Sequence, residues 1–206
     1  MPIAMITGAS KGLGRALGAA PAGRGWDLVL DARSAGVLEG TAREPRQTYG
    51  TRVAAVPGDV TDPAHRAELE GTAGELGGLD LLVCNASALG AEPLVRLEAL
   101  APEGLRRALE TNVVAALGLV RGTLGLLRES AAGAVVTVSS DVAVEAYPAW
   151  GGYGASKAAL DRLAAVLRRG YAEALERRYL WHEFGDTHLF LPAPGPHSPH
   201  YRSNFS

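Results

Sequence analysis

Tyr153 and Lys157 stand four residues apart in Tyr153-Gly154-Ala155-Ser156-Lys157. On a helix that spacing puts both side chains on one face, so an ammonium can sit beside a phenol. A free phenol has a pKa of about 10, too high to exchange protons readily near neutrality. A neighbouring cation favours the phenolate and brings the group nearer to working pH, which suits general acid/base chemistry. The alternative is a half-buried aromatic next to a solvated helix charge. A second segment, Thr7-Gly8-Ala9-Ser10-Lys11-Gly12-Leu13-Gly14-Arg15, directly follows the apolar run Ile3 to Ile6. Glycine, lacking Cβ, lets the backbone turn tightly and approach a ligand closely. A helix opening at such a turn aims free N–H groups and its positive dipole end at a phosphate. Between a strand and a helix the segment favours nucleotide binding over a merely flexible turn.

These residues need elements to hold them. Strand-length apolar runs recur at 3–7, 27–30, 53–56, 79–84 and 134–139, and the clearest helical spacing covers 102–129 and 154–178. The runs are continuous rather than alternating, the pattern of strands buried on both faces in a parallel sheet. Strand–helix alternation predicts a single doubly wound α/β domain. Asp62-Pro63 and Pro102-Glu103 carry helix-start signals. Pro21 lies inside the helix expected from Leu13 to Gly23 and predicts a kink or an early end. With 206 residues, 47% hydrophobic and 20% charged, the chain has material for a sizeable core, which excludes a mostly disordered protein. A net charge of −2 speaks against life on a nucleic-acid backbone. The single cysteine, Cys84, cannot close an internal disulfide and fits a reducing compartment. There is no leader-like N-terminus and no apolar run of membrane-spanning length, so a cytoplasmic protein with no membrane partner is expected.

The glycine spacing G-x3-G-x-G resembles that of the short-chain dehydrogenase/reductase family, and further segments follow that family in order. Gly58-Asp59-Val60-Thr61-Asp62 comes after the third strand. Cys84-Asn85-Ala86-Ser87 comes after the fourth and resembles the family's N-N-A-G with its first and last residues changed. Asn112 lies in the long helix, and Val138-Ser139-Ser140 precedes Tyr153 and Lys157, with Ser140 thirteen residues before Tyr153. The resemblance covers residues 1 to about 168 and implies a Rossmann-like fold and an oxidoreductase passing hydride between a nicotinamide and a carbonyl or alcohol. It implies Tyr153 as acid/base, Ser140 holding the substrate oxygen, Lys157 also on the nicotinamide ribose, and Asn112 holding a water in a proton relay through Lys157. It places the dinucleotide on Gly8, Ser10, Lys11, Gly12, Leu13, Gly14, Arg33, Asp59, Val60, Asn85, Ala86, Tyr153 and Lys157. Ser140 is not a hydrolase nucleophile, since no G-x-S-x-G elbow surrounds it.

At the end of strand two, Asp31-Ala32-Arg33-Ser34 bears on the cofactor. An acid there bonds a ribose 2′-hydroxyl, while an arginine accommodates a 2′-phosphate. Family register puts Ala32 at the acidic position and Arg33 at the phosphate-binding one, with Lys11 adding charge, so NADP is expected over NAD and Asp31 is expected to turn back toward the strand end. Past Leu167 the resemblance weakens. The family pattern calls for another central strand ending in a Pro-Gly turn, and the candidates are Leu189 to Leu191 and Pro194-Gly195, 37 residues after Lys157. Pro192 removes a ladder donor from that strand, and a chance proline-rich tail is the alternative. Residues 1–180 are therefore read as the dinucleotide-binding domain and 181–206 as an irregular Pro/His-rich tail holding at most a degenerate strand, with the family's last strand and helix expected to be missing. His182, His188, His197 and His200 have no defensible metal-ligand spacing, and no metal is expected. Besides the enzyme, a non-catalytic nucleotide-binding remnant and an interaction subunit are carried as alternatives. Any homo-oligomer is expected to pair through the helices near 102–129 and 153–178, as related enzymes do.

Overall fold

The computed structural model describes residues 1–174, 179–184 and 187–192, with side chains through residue 168. Five strands, β1 (Ile3–Ile6), β2 (Asp27–Ala32), β3 (Val53–Pro57), β4 (Leu81–Cys84) and β5 (Ala134–Val138), pair in parallel in the order β3-β2-β1-β4-β5. Every residue of β1 and β2 is buried, as their continuous apolar runs require when helices cover both faces. The helices are α1 (Gly12–Ala22), α2 (Ala35–Tyr49), α3 (Pro63–Leu76), α4 (Pro102–Leu109), α5 (Ala115–Glu129) and α6 (Gly151–Ala174). Two apolar clusters fill the spaces between helices and sheet. One gathers Met5, Val29, Leu69, Leu82 and Leu119, and the other Ile6, Leu28, Leu30, Leu38 and Val136.

The doubly wound parallel sheet is the architecture expected from the strand–helix alternation, and local chemistry fixes several of its ends. Asp62 caps α3 by accepting the Ala64 N–H at 2.9 Å, with Pro63 in the first turn. At the other end Gly77, with φ +118°, takes the left-handed conformation while its N–H reaches the Ala73 carbonyl. Helix α1 continues through Pro21 and stops at Ala22, one residue further on. The bottom of the sheet is tied by the buried Asp27 and the partly buried Asp80. Asp27 accepts from the backbone N–H and the guanidinium of Arg52, and Asp80 accepts from Ile3 N–H at 2.7 Å.

The stretch 102–129 is helical throughout, as its spacing implies, with a π turn at Glu110–Val114 that lies between α4 and α5 and carries Asn112. There the Asn112 side chain bonds loop and helix groups across the packing interface, and single π turns commonly mark such sites. One expectation needs correction. The region read as an irregular tail from 181 contains two strands, β6 (Tyr179–Phe184) and β7 (Thr187–Pro192). They form an antiparallel pair, and β7 runs antiparallel to β5, so the candidate strand around Leu189 to Leu191 joins the sheet in the opposite sense to the parallel one expected. Two residues between β6 and β7 are far too few for a parallel crossover, which needs a dozen or more. Pro192 sits at the strand's last position. Pro194-Gly195, His197 and His200 lie outside the described residues.

Leu82 on the central strand β4 is fully buried, whereas Val166 on α6 is 55% exposed. Leu82→Ala is therefore expected to cost about 2–5 kcal/mol in urea unfolding, and Val166→Ala to stay within about 0.5 kcal/mol.

Candidate active site

The carboxyl ends of β1, β2, β3 and β4 open onto a cleft of about 990 Å³. Its lining includes Gly8, Ser10, Lys11, Gly12, Leu13 and Gly14 from the first turn, Arg33 after β2, Asp59 and Val60 after β3, and Asn85 and Ala86 after β4. Every residue that the sequence assigned to the dinucleotide, apart from Tyr153 and Lys157, thus faces one space. This is where an open parallel sheet receives ligands, in the crevice beyond its strand ends.

The turn after β1 works only with glycine at key places. Gly8 and Gly12 have φ of +65° and +55°. A Cβ on Gly8 would lie 2.9 Å from Ala86 Cα, and one on Gly14 would run into the Gly8 carbonyl oxygen and Asn85 Nδ2. Asn85 holds that approach by donating from Nδ2 to the Thr7 carbonyl at 2.8 Å and the Gly8 carbonyl at 3.3 Å. Thr7 Oγ1 in turn accepts from the N–H groups of Asn85 and Ala86, both at 3.0 Å. The Asn85 side chain is therefore engaged with the glycine turn, and its part in the cleft is to hold that turn against β4.

Charge is distributed unevenly around the rim. Lys11 and Arg33 are exposed, and neither forms an ion pair within 4.0 Å among the described residues. Asp59 is also exposed. Its carboxyl is held below the usual range, first by the Thr61 backbone N–H at 2.9 Å and further by the Thr61 hydroxyl and the charge of Arg33. Ala32 is buried, and Asp31 is fully buried with its carboxylate on His65 Nε2 at 2.7 Å. Free cations, a backbone that admits a ligand where Cβ atoms would block it, and helix α1 opening directly behind together fit a phosphate-bearing nucleotide.

At the same edge of the sheet, α6 carries Tyr153 and Lys157. Lys157 is 1% exposed and donates from Nζ to the Val138 carbonyl at 2.7 Å. Its ammonium lies 5.4 Å from the centroid of the half-buried Tyr153 ring, the shared face that the i, i+4 spacing requires. Burial pushes Lys157 down to about 8, against the opposing pull of the Asp161 carboxylate and of Cys84. Cys84 itself is buried, and desolvation pushes its thiol up to about 12, which leaves it an inert packing residue. Trp150 packs on Tyr153 with ring centroids 5.8 Å apart.

Ser140 follows β5 two residues after Val138, so the bond from Lys157 fixes the strand end that presents it. Its hydroxyl donates to Asp141 Oδ1 at 3.1 Å, and Asp141 Oδ2 accepts from Tyr147 at 3.2 Å. Asn112 is buried. Its Nδ2 donates to Ser156 Oγ (2.8 Å) and the Ala88 carbonyl (2.9 Å), while its Oδ1 accepts from Ala88 N–H (2.7 Å) and Ser87 Oγ (3.2 Å). Ser156 Oγ passes the connection on by donating to the Tyr153 carbonyl at 2.7 Å. The Asn112 side chain is thus occupied in joining α6 to the loop after β4. Sequence reasoning missed Ser87 and Ser156 as its partners, although Ser156 sits inside the quoted Tyr-to-Lys motif, and it missed His65 altogether.

The comparisons agree with this geometry. The family model described as short chain dehydrogenase matches residues 2–175. An uncharacterized oxidoreductase of Mycobacterium tuberculosis is 34% identical over 175 residues, covering 82% of this chain and 67% of the relative. An uncharacterized oxidoreductase of Saccharomyces cerevisiae is 30% identical over 172 residues, covering 80% of this chain and 63% of the relative. Among solved structures, an alcohol dehydrogenase from the archaeon Thermococcus sibiricus, complexed with 5-hydroxy-NADP, superposes with a TM-score of 0.77 at 32% identity, covering 82% of this chain and 71% of that one. The chain belongs to the short chain dehydrogenases, oxidoreductases acting on alcohol or carbonyl groups through a bound nicotinamide dinucleotide. It spans about two thirds of the length of the curated relatives it matches. No helix among the described residues is long and apolar enough to cross a membrane.

The buried ammonium makes a signed prediction. Lys157 falls to about 8 in the folded chain from an ordinary value of 10.5, so above pH 8 the unfolded chain binds more protons and unfolding free energy rises with pH. From about pH 8 to about pH 9 the stability of the natural chain relative to Lys157→Met is expected to improve by about 1 kcal/mol. Urea unfolding of both proteins at the two pH values measures it.

Proposed function

We propose that the chain is an NADP(H)-dependent oxidoreductase interconverting a small carbonyl compound and its alcohol, with Tyr153 as the acid/base. The observation that carries this reading is the buried Lys157 ammonium 5.4 Å from the Tyr153 ring, set on the same sheet edge as the glycine-lined cleft. When bound, the nicotinamide supplies the hydride that reaches the carbonyl carbon, or takes it from the alcohol. Tyr153 gives its phenolic proton to the carbonyl oxygen as that oxygen gains charge, and takes it back in the oxidative direction. The neighbouring Lys157 cation stabilises the phenolate left behind. Lys157 would also bind the ribose of the nicotinamide half.

Ser140 orients the substrate oxygen. Its bond to Asp141, at 3.1 Å, is long for an O–H···O contact, and turning about χ1 frees the hydroxyl to donate toward the substrate. Asn112 takes part by holding Ser156, and through it the first turn of α6, in register with the loop at Ser87 and Ala88.

The choice of NADP rests on what stands at the end of β2. Arg33 and Lys11 are exposed cations at the cleft, Ala32 offers no acid, and the Asp31 carboxylate is turned inward to His65. A 2′-phosphate would find two cations at the cleft, whereas a bare 2′-hydroxyl would find no outward carboxylate at the end of β2 itself. Asp59 would contact the adenine, with Val60 beside it in the lining.

In a carbonyl panel with NADPH, Tyr153→Phe is expected to lose at least a hundredfold in kcat while its Kd for NADPH stays within about threefold. Retention of the natural rate would sink Tyr153 as the acid. NADPH binding by the natural chain with no turnover on any carbonyl or alcohol would instead favour a nucleotide-binding subunit. Arg33→Ala is expected to weaken NADPH by about tenfold or more and leave NADH unchanged, as measured by fluorescence titration.

A further inference from the structure

Asp31 is a fully buried carboxylate that no step above uses. Its Oδ1 lies 2.7 Å from His65 Nε2, its Oδ2 accepts a long 3.4 Å bond from the Gly8 N–H, and its own carbonyl accepts the Ala9 N–H at 2.8 Å. His65, in the first turn of α3, is 6% exposed, and its ring occupies the space that a Cβ on Gly58 would need. The Gly58 N–H in turn donates to the Ala32 carbonyl at 3.1 Å. The remaining charged neighbours are Glu68, 3.5 Å from His65 Nδ1, and Asp59. One side-chain pair therefore ties together the end of β2, the glycine turn, the loop after β3 and the start of α3. The first three of these line the nucleotide cleft.

We propose that Asp31 and His65 are positioning residues for the adenosine half of the dinucleotide. The pair sets the distance between the glycine turn and the Gly58–Val60 loop. It also keeps the Asp31 carboxylate below the cleft floor, so the 2′ position is left to Arg33 and Lys11. Neither side chain touches the reacting atoms, and their effect falls on cofactor affinity rather than on chemistry. Removing the imidazole leaves a buried carboxylate without its principal partner, which must reorient, take up water or become protonated. Each of these outcomes disturbs the Gly8 and Gly58 backbones that face the nucleotide. This inference rests on the dinucleotide reading given above.

The test compares the natural chain with His65→Leu, His65→Gln and Asp31→Asn. Titrations use NADPH, 2′,5′-ADP as the adenosine-side fragment, and nicotinamide mononucleotide as the other half, with kcat measured at saturating NADPH. Expected for His65→Leu is a tenfold or greater rise in Kd for NADPH and for 2′,5′-ADP, unchanged nicotinamide mononucleotide binding, and kcat within twofold. His65→Gln, which keeps a donor within reach of Asp31, is expected to recover most of the loss. If His65→Leu does not fold, Asp31→Asn, which keeps the side chain's shape, gives the same comparison. Natural affinity for 2′,5′-ADP in the folded variants overturns the proposal, as does a loss confined to kcat, while the dinucleotide reading stands. Failure of the natural chain itself to bind NADPH, NADH or 2′,5′-ADP overturns that reading, and this inference with it.

Discussion

A single desolvated cation organises the reactive end of this molecule. Placing Lys157 where it is 1% exposed costs roughly 3 kcal/mol near neutrality, by the fall of its ammonium from 10.5 to about 8. The charge of Asp161 already moderates that fall, and the ammonium keeps a partner through the 2.7 Å bond to the Val138 carbonyl. That bond lashes α6 to the end of β5, and two consequences follow from it. Ser140 is carried at the end of the strand, and Tyr153 on the helix one turn before Lys157. A strongly desolvated cation beside a phenol is the pattern that functional sites show.

The nucleotide end is organised by close approach rather than charge. β1, β4 and α1 converge so tightly that Gly14 has no room for a side chain, and Asn85 and Thr7 bind the converging backbones together. The Asp31–His65 pair does the equivalent for β2, β3 and α3. Between the two ends runs the Asn112–Ser156–Tyr153 chain of hydrogen bonds, which fixes the loop after β4 against α6. Three buried polar connections thus set the relative positions of four loops, while the apolar clusters beneath hold the sheet and helices. Buried polar networks of this kind lose much when one member is left unpaired.

Much of this was legible in the sequence because it depends on local spacing. The apolar runs announced the five parallel strands, the glycine pattern announced the first turn, and the i, i+4 step put Tyr153 and Lys157 on one face. Ends governed by capping were also readable, as Asp62-Pro63 illustrates. The contacts that escaped are those made between residues far apart in the chain. Asp31 and His65 are separated by 34 residues and meet only because β2 and β3 lie side by side, with α3 returning over them. Asn112 and Ser156 are 44 residues apart and meet across a helix interface. The π turn escaped because leucine and alanine spacing does not register one extra residue in a turn. The antiparallel β6–β7 pair escaped because a single further strand was expected after α6, whereas two strands follow it and pair with each other.

The most direct measurement follows the hydrogen that the site is built to move. NADPH carrying deuterium at both nicotinamide C4 positions is mixed with the protein and a panel of aldehydes and ketones, and the products are read by mass spectrometry. The expected product is an alcohol with deuterium on the former carbonyl carbon and protium from solvent on its oxygen. Saturable NADPH binding with no deuterium in any alcohol product would contradict it.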